Sequence, residues 1–376
     1  MEHYLDNSAT TRVCEAAAQA ALNAMTGVYG NPSSTHTLGR AAKKLLDTSR
    51  AQVADALGCS PAELVFTSCG SESDNWALLS GAELMKRRGG HIISSAVEHD
   101  AVRRSLELLE ERGFEVTRLM PDSTGAIPAQ SVIDALRKDT ILVSLMLVNN
   151  ETGAVTDIPG ISGELKKLGS KALVHTDAVQ AFMKLPFSAK TLGADMISIS
   201  GHKIHAPKGI GALYIRNGVK LRPFLCGGAQ EGGRRAGTEA MPQIAAFAAA
   251  CAEAKPLMRE YIPRMAAFKA ELIERLTHDI PELSFVPTEA PHILSISLPG
   301  WRSEVLMNYL EAKEIYVSKS SACKKGGRSH VLEAMGLDAR TIDGAIRIGL
   351  SRFTTQEDID ALCTELKNAR DTLAHR

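Results

Sequence analysis

The segment SISGHKIHAPKGIG, residues 198–211, sets Lys203 in a Gly- and Pro-rich turn directly after an apolar strand pattern. A lone lysine is ordinarily a solvated surface group. One held inward at the carboxyl edge of a sheet can lose its proton through desolvation and form a Schiff base with a carbonyl compound. Ser200 and His202 flank it with the hydroxyl and imidazole donors that a phosphate would need. His202 and His205 lack a carboxylate or thiolate at a recognisable ligand spacing, so no metal site is expected there. In TSCGSESDN, residues 67–75, Gly70 and Ser71 stand where a strand passes into a helix. The free amides and dipole at such a start suit a phosphate. An ordinary capped helix reads the same way, and the glycine spacing is not that of a Walker loop. ALVHTDAVQ, residues 172–180, ends a strand in Asp177. That residue is either a helix N-cap or a buried carboxylate needing a cation such as a protonated pyridine nitrogen. His99 follows another strand, where an imidazole stacks on a flat ring, relays protons or serves the structure alone.

These residues need a frame that gathers strand ends. Short β-rich runs at 63–68, 91–96, 115–120, 140–148, 172–177, 194–200 and 209–216 alternate with segments whose apolar residues recur at helical spacing. The alternation predicts an α/β fold, a mostly parallel seven-stranded sheet covered on both faces, with ligands beyond the carboxyl ends of its strands. The Gly-rich stretch 226–242 closes this region, and an Ala-rich helical pattern follows from about 243 to 277. HILSISLPG, IYVSKSSA and AIRIGLSRF then read as strands of a small α+β C-terminal unit, ending in a helix opened by Thr354 with Glu357 as a capping box. The large domain is expected over 14–250 and the small one over 1–13 with 251–376.

With 43 Lys and Arg against 43 Asp and Glu, no net field draws the chain to nucleic acid or an anionic membrane, and a small-molecule partner is expected. Seven cysteines, dispersed and without a CxxC pair, argue against a disulfide framework or a tetrahedral zinc site and for a reducing, cytoplasmic setting. No apolar run approaches the ~20 residues of a membrane span, nor does the N-terminus have the layout of a signal peptide.

Ordered along the chain stand YLDNSATT at 4–11, YGNPSSTH at 29–36, NNETG at 149–153, HTDAVQ at 175–180, SGHKIHAPKGIGALY at 200–214, GTE at 237–239, SAC at 321–323, SHVLEAMG at 329–336 and IRIGLSRFTT at 346–355. Nearly end to end, this series resembles the cysteine desulfurases, fold-type I pyridoxal-phosphate enzymes of class V. The resemblance implies that Lys203 carries pyridoxal 5'-phosphate as a Schiff base and moves protons at the substrate carbon. By the same resemblance Asp177 keeps the ring nitrogen protonated, and Asn150 and Gln180 meet the ring-hydroxyl side. His99 stacks on the ring and acts in acid/base chemistry. Gly70, Ser71, Ser200 and His202 seat the phosphate, Thr238 reaches the phosphate of a neighbouring subunit in a homodimer, and Arg347 grips the substrate carboxylate, a task suited to its planar fork.

Cys323 matches the nucleophile of that family, which takes sulfur from L-cysteine as a persulfide, leaves alanine and passes the sulfur to an acceptor protein. Lys324, Lys325 and Arg328 are expected to favour its thiolate. Here the cysteine lies in SKSSACKKG where the family carries a stretch close to SSGSACSSG, and Cys69 replaces a glycine of the phosphate turn. The alternatives are a related class V enzyme acting on selenocysteine or another amino acid, and a catalytically degenerate partner subunit.

Overall fold

The computed structural model describes residues 2–319 and 327–373. After a short strand β1 (His3–Tyr4), the central sheet is built from β2 (Leu64–Thr67), β3 (His91–Ser95), β4 (Glu115–Leu119), β5 (Thr140–Ser144), β6 (Leu173–Asp177), β7 (Met196–Ser200) and β8 (Gly211–Ile215). Their spatial order is β2-β8-β7-β6-β5-β3-β4, with β8 antiparallel to both neighbours and the remaining pairings parallel. Every residue of β3, β5, β6, β7 and β8 is buried, as a sheet covered on both faces requires. Alternate side chains enter two cores: Ile92, Leu142, Leu173, Met196 and Leu213 meet Trp76 and Leu106, while Ile93, Val143, Val174 and Ile197 join the larger core on the opposite face.

The small unit carries β9 (Ser284–Phe285), β10 (Ile293–Ser297), β12 (Ser318–Lys319) and β13 (Ala345–Gly349) in an antiparallel sheet of order β12-β13-β10-β9, while β11 (Ile315–Tyr316) pairs with β1. The expected strand IYVSKSSA is thus divided between β11 and β12. One helix, Met241–Asp279, carries the chain from the large sheet toward the small one, and residue 250 falls inside it. Among the described residues no helix is long and apolar enough to cross a membrane.

Two local readings are corrected. The run 140–148 stops being a strand at Ser144, although the Leu145 and Leu147 amides still donate to the carbonyls of His175 (3.2 Å) and Asp177 (2.9 Å). The capping box of the last helix, Gln356–Thr372, is formed by Thr355 and Asp358 rather than Thr354 and Glu357. Thr354 Oγ1 instead accepts from the Ser351 amide at 2.9 Å, which removes it from the capping role.

The Gly-rich stretch is tied down by charge. Glu231, its side chain only 3% exposed, receives both Arg50 Nη1 (2.8 Å) and Nη2 (2.5 Å) and also the Phe66 amide at 2.9 Å. Removing one partner of a buried pair leaves an uncompensated charge. Arg50→Met is therefore expected to lower unfolding free energy by about 3 kcal/mol in chemical denaturation. A loss below about 1 kcal/mol, the scale of a surface pair, would show that the pair does not secure this stretch.

Candidate active site

The parallel strands deliver their ends to one edge: Thr67, Ser95, Ser144, Asp177 and Ser200 close β2, β3, β5, β6 and β7. Lys203 lies in the single 3-10 turn after β7, Gly201–Lys203. Across this edge runs the N-terminal segment, whose backbone receives the lysine: Lys203 Nζ donates to the carbonyls of Ser8 (2.6 Å) and Ala9 (2.7 Å). Gln180 Nε2 donates to the same Ser8 carbonyl at 2.8 Å. Thr11 fixes the strap by donating through Oγ1 to the His202 carbonyl at 2.9 Å, and His202 Nδ1 meets Thr10 Oγ1 at 3.2 Å. The motif at 4–11 carried the family resemblance, but nothing in its residue types announced that its carbonyls would hold the lysine.

At the phosphate end, the helix Gly70–Met85 starts where expected, with Cys69 as an N-cap that makes no side-chain capping bond. Glu72 supports the start, accepting from the Ser68 amide at 2.7 Å and from Arg235 Nε at 2.9 Å. A Cβ on Gly70 would stand 2.8 Å from Val179 Cγ2 and 3.6 Å from Ser200 Cβ, so glycine lets the helix amides meet the ends of β6 and β7. Ser200 Oγ is buried there and has no hydrogen-bond partner among the described residues. Burial, reinforced by the charge of Lys203, pushes the His202 imidazole down to about 3, which keeps it neutral and able to donate. Ser71 is exposed beside Gly70. Thr238 is exposed on the Gly-rich stretch and makes no hydrogen bond to these groups among the described residues.

Beside the strand ends lies a polar network that the sequence reading missed. Asp177 is buried, with Oδ1 accepting from the Val179 amide at 2.8 Å. Burial raises its pKa, while the charges of His99 and Lys203 and the Val179 hydrogen bond pull it back. Asp74, on the helix opposite, is raised well above the ordinary carboxyl range by burial and by the Asp177 charge. His175 joins Ser144 Oγ (2.8 Å) and Ser198 Oγ (3.0 Å) and approaches Asp74 Oδ1 at 3.6 Å. Full burial lowers His175 to about 3, so the ring is neutral. A signal was available: on one face of the sheet Leu142, Leu173 and Met196 give way two residues later to Ser144, His175 and Ser198, so polarity rises toward the carboxyl edge. His99 caps the helix Asp100–Glu111, its Nδ1 accepting from the Ala101 amide at 3.1 Å.

From the small sheet Arg347 enters on β13, 2% exposed. Its Nη1 donates to the Asn150 carbonyl (2.7 Å) and its Nη2 to Ser318 Oγ (2.8 Å) and Asp6 Oδ1 (3.2 Å). Its Nε has no partner among the described residues. Asn150 thus takes part through its backbone. Arg328, expected to lend charge to the thiol, commits its fork to Asp343, with both bonds 2.8 Å, and Lys319 reaches Glu304 at 2.7 Å. Cys323, Lys324 and Lys325 lie outside the described residues.

Glu98, next to His99, is buried with one oxygen bonded to Ser95 Oγ (2.5 Å) and the Met146 amide (3.1 Å). Burial, opposed by those bonds and aided by the Asp177 charge, raises its pKa to about 8. Between the ordinary glutamate range and 8 the folded chain binds the proton that the unfolded chain has released, so stability falls as pH rises through that window. Glu98→Gln is expected to flatten this decline in denaturation midpoints measured from about pH 5 to 8. An unchanged slope would contradict the assignment.

A buried aspartate in need of a cation, an orphaned serine hydroxyl against a helix N-terminus, a neutral imidazole and an inward lysine form a donor set that fits pyridoxal 5'-phosphate. Fold and site together define a fold-type I pyridoxal-phosphate enzyme. The profile of the class-V aminotransferases matches residues 3–362. Cysteine desulfurase 2 of Trichormus variabilis is 44% identical over 362 residues, covering 95% of this chain and 90% of its own. A solved NifS-like protein superposes with a TM-score of 0.94 at 37% identity, covering 99% of this chain and 100% of its own. Solved SspA, in complex with cysteine, gives 0.80 at 30% identity over 94% of this chain and 100% of its own. The chain belongs to the class-V aminotransferase family.

Proposed function

We propose that this chain is a cysteine desulfurase that converts L-cysteine to L-alanine and places the released sulfur on Cys323 as a persulfide for an acceptor protein. Lys203 and Asp177 at one sheet edge, with Arg347 tied through Asp6 to the same N-terminal segment that receives Lys203, carry this reading. The relatives' names favour it over an enzyme for another amino acid, and the cysteine held by SspA supports the substrate.

Pyridoxal phosphate, held through Lys203, Asp177, Ser200 and the helix start at Gly70, supplies an electron sink for negative charge developing beside the substrate amine. The chain's own residues do the rest. Asp177 holds the proton of the ring nitrogen in place, and burial favours the neutral form of Asp74 beside it. Arg347 fixes the substrate carboxylate and so directs the α-carbon toward Lys203, whose Nζ takes and returns the proton there. The Cys323 thiolate attacks the substrate sulfur. The carbon–sulfur bond breaks with its electron pair passing to the β-carbon, which gains a proton and becomes the alanine methyl group; His99 supports these transfers. Thr238 completes the phosphate seat of a second subunit in a homodimer, and the enzyme works in the cytoplasm. Incubation with L-cysteine and a thiol reductant is expected to yield alanine and sulfide in equal amounts; neither product forming would reject the reading.

A further inference from the structure

Lys184 is 6% exposed, and among the described residues its Nζ reaches one acceptor, Gln180 Oε1, at 3.4 Å. Among the described residues, Lys203, His205, Tyr261 and Arg352 line the small void beside it. Lys203 and Arg347 act on its charge, and it acts on His202, His205 and His292. None of these described groups is a carboxylate. Burial first, and then those two cations, push its pKa well below that of an ordinary lysine. A buried amine with one long hydrogen bond and no counter-ion costs stability that a methionine in the same space would not. Packing alone therefore does not account for it.

That hydrogen bond leads into the site. Gln180 accepts from Lys184 through Oε1 and donates through Nε2 to the Ser8 carbonyl at 2.8 Å, and that carbonyl also receives Lys203 Nζ at 2.6 Å. Lys184 and Lys203 further line one small void of about 20 Å³, room for a single water.

We propose that Lys184 is a positioning residue: donating to Gln180 Oε1, it fixes the carboxamide with Nε2 turned toward Ser8 and Lys203, on the hydroxyl side of the cofactor ring. A donor held there favours the ring oxygen as its anion and weakens the hold of the Lys203 nitrogen on its proton. The inference rests on the cofactor reading and not on the choice of amino acid.

The test uses cofactor-loaded protein without substrate and follows the visible absorption of the Lys203 linkage against pH. Lys184→Met, close in volume, is expected to retain the cofactor, to melt no lower than wild type and to raise the titration midpoint by about one unit, a tenfold change in proton affinity. Gln180→Ala is expected to raise it similarly, and the double variant no further than Gln180→Ala alone, because residues acting through one another are not additive. An unmoved midpoint in Lys184→Met, or a shift that adds in full to that of Gln180→Ala, would overturn the proposal. Should the methionine variant not fold, Lys184→Leu gives the same readout from a second apolar side chain. Wild-type protein without the visible band would reject the cofactor reading and this inference together. Failure to make alanine would reject only the desulfurase reading.

Discussion

Lys203→Ala is expected to remove the visible absorption of the bound cofactor and to lower alanine formation by at least about 10³-fold. The size follows from the place Lys203 occupies. Its amine is the inward nucleophile at this edge, held by two carbonyls of the strap at 2.6 and 2.7 Å, and it also moves the proton at the substrate carbon. Neither role passes to the buried Lys184, whose amine is bound to Gln180. A variant that kept the absorption would place the cofactor on a different amine and contradict the role assigned to Lys203.

Cys323→Ser is the second large effect. A serine hydroxyl is a far poorer nucleophile toward sulfur than a thiolate, so release of alanine and sulfide from L-cysteine is expected to fall by at least about 10²-fold while the visible band persists. The separation between an intact band and lost turnover distinguishes a missing sulfur carrier from a damaged cofactor site. Undiminished alanine formation would mean that the substrate's carbon–sulfur bond breaks without this thiol and would favour the class V alternative.

The sheet was legible because apolar β-rich runs separated by helical periodicity leave few architectures, and the strand ends then placed Lys203, Asp177, Ser200 and Gly70 together. Arg347, Cys323 and Thr238 came from family resemblance, since nothing in IRIGLSR marks Arg347 as buried rather than solvated. Other features depended on contacts far apart in sequence. Ser8 and Lys203 are 195 residues apart, and the strap acts through its carbonyls, which every residue type carries. The pairing of Arg328 with Asp343, 15 residues on, was likewise not legible from the sequence. Thr354 and Thr355 are chemically alike as helix caps, and the turn bond from the Ser351 amide decided between them.

The central claim is that sulfur leaves L-cysteine by way of Cys323. One turnover with L-cysteine in the absence of reductant and acceptor, followed by mass measurement of the peptide containing residue 323, tests it directly. One added sulfur on Cys323 is expected for each alanine formed. Alanine formed with Cys323 unmodified, or the added sulfur found on Cys69 or another of the seven cysteines, would contradict it.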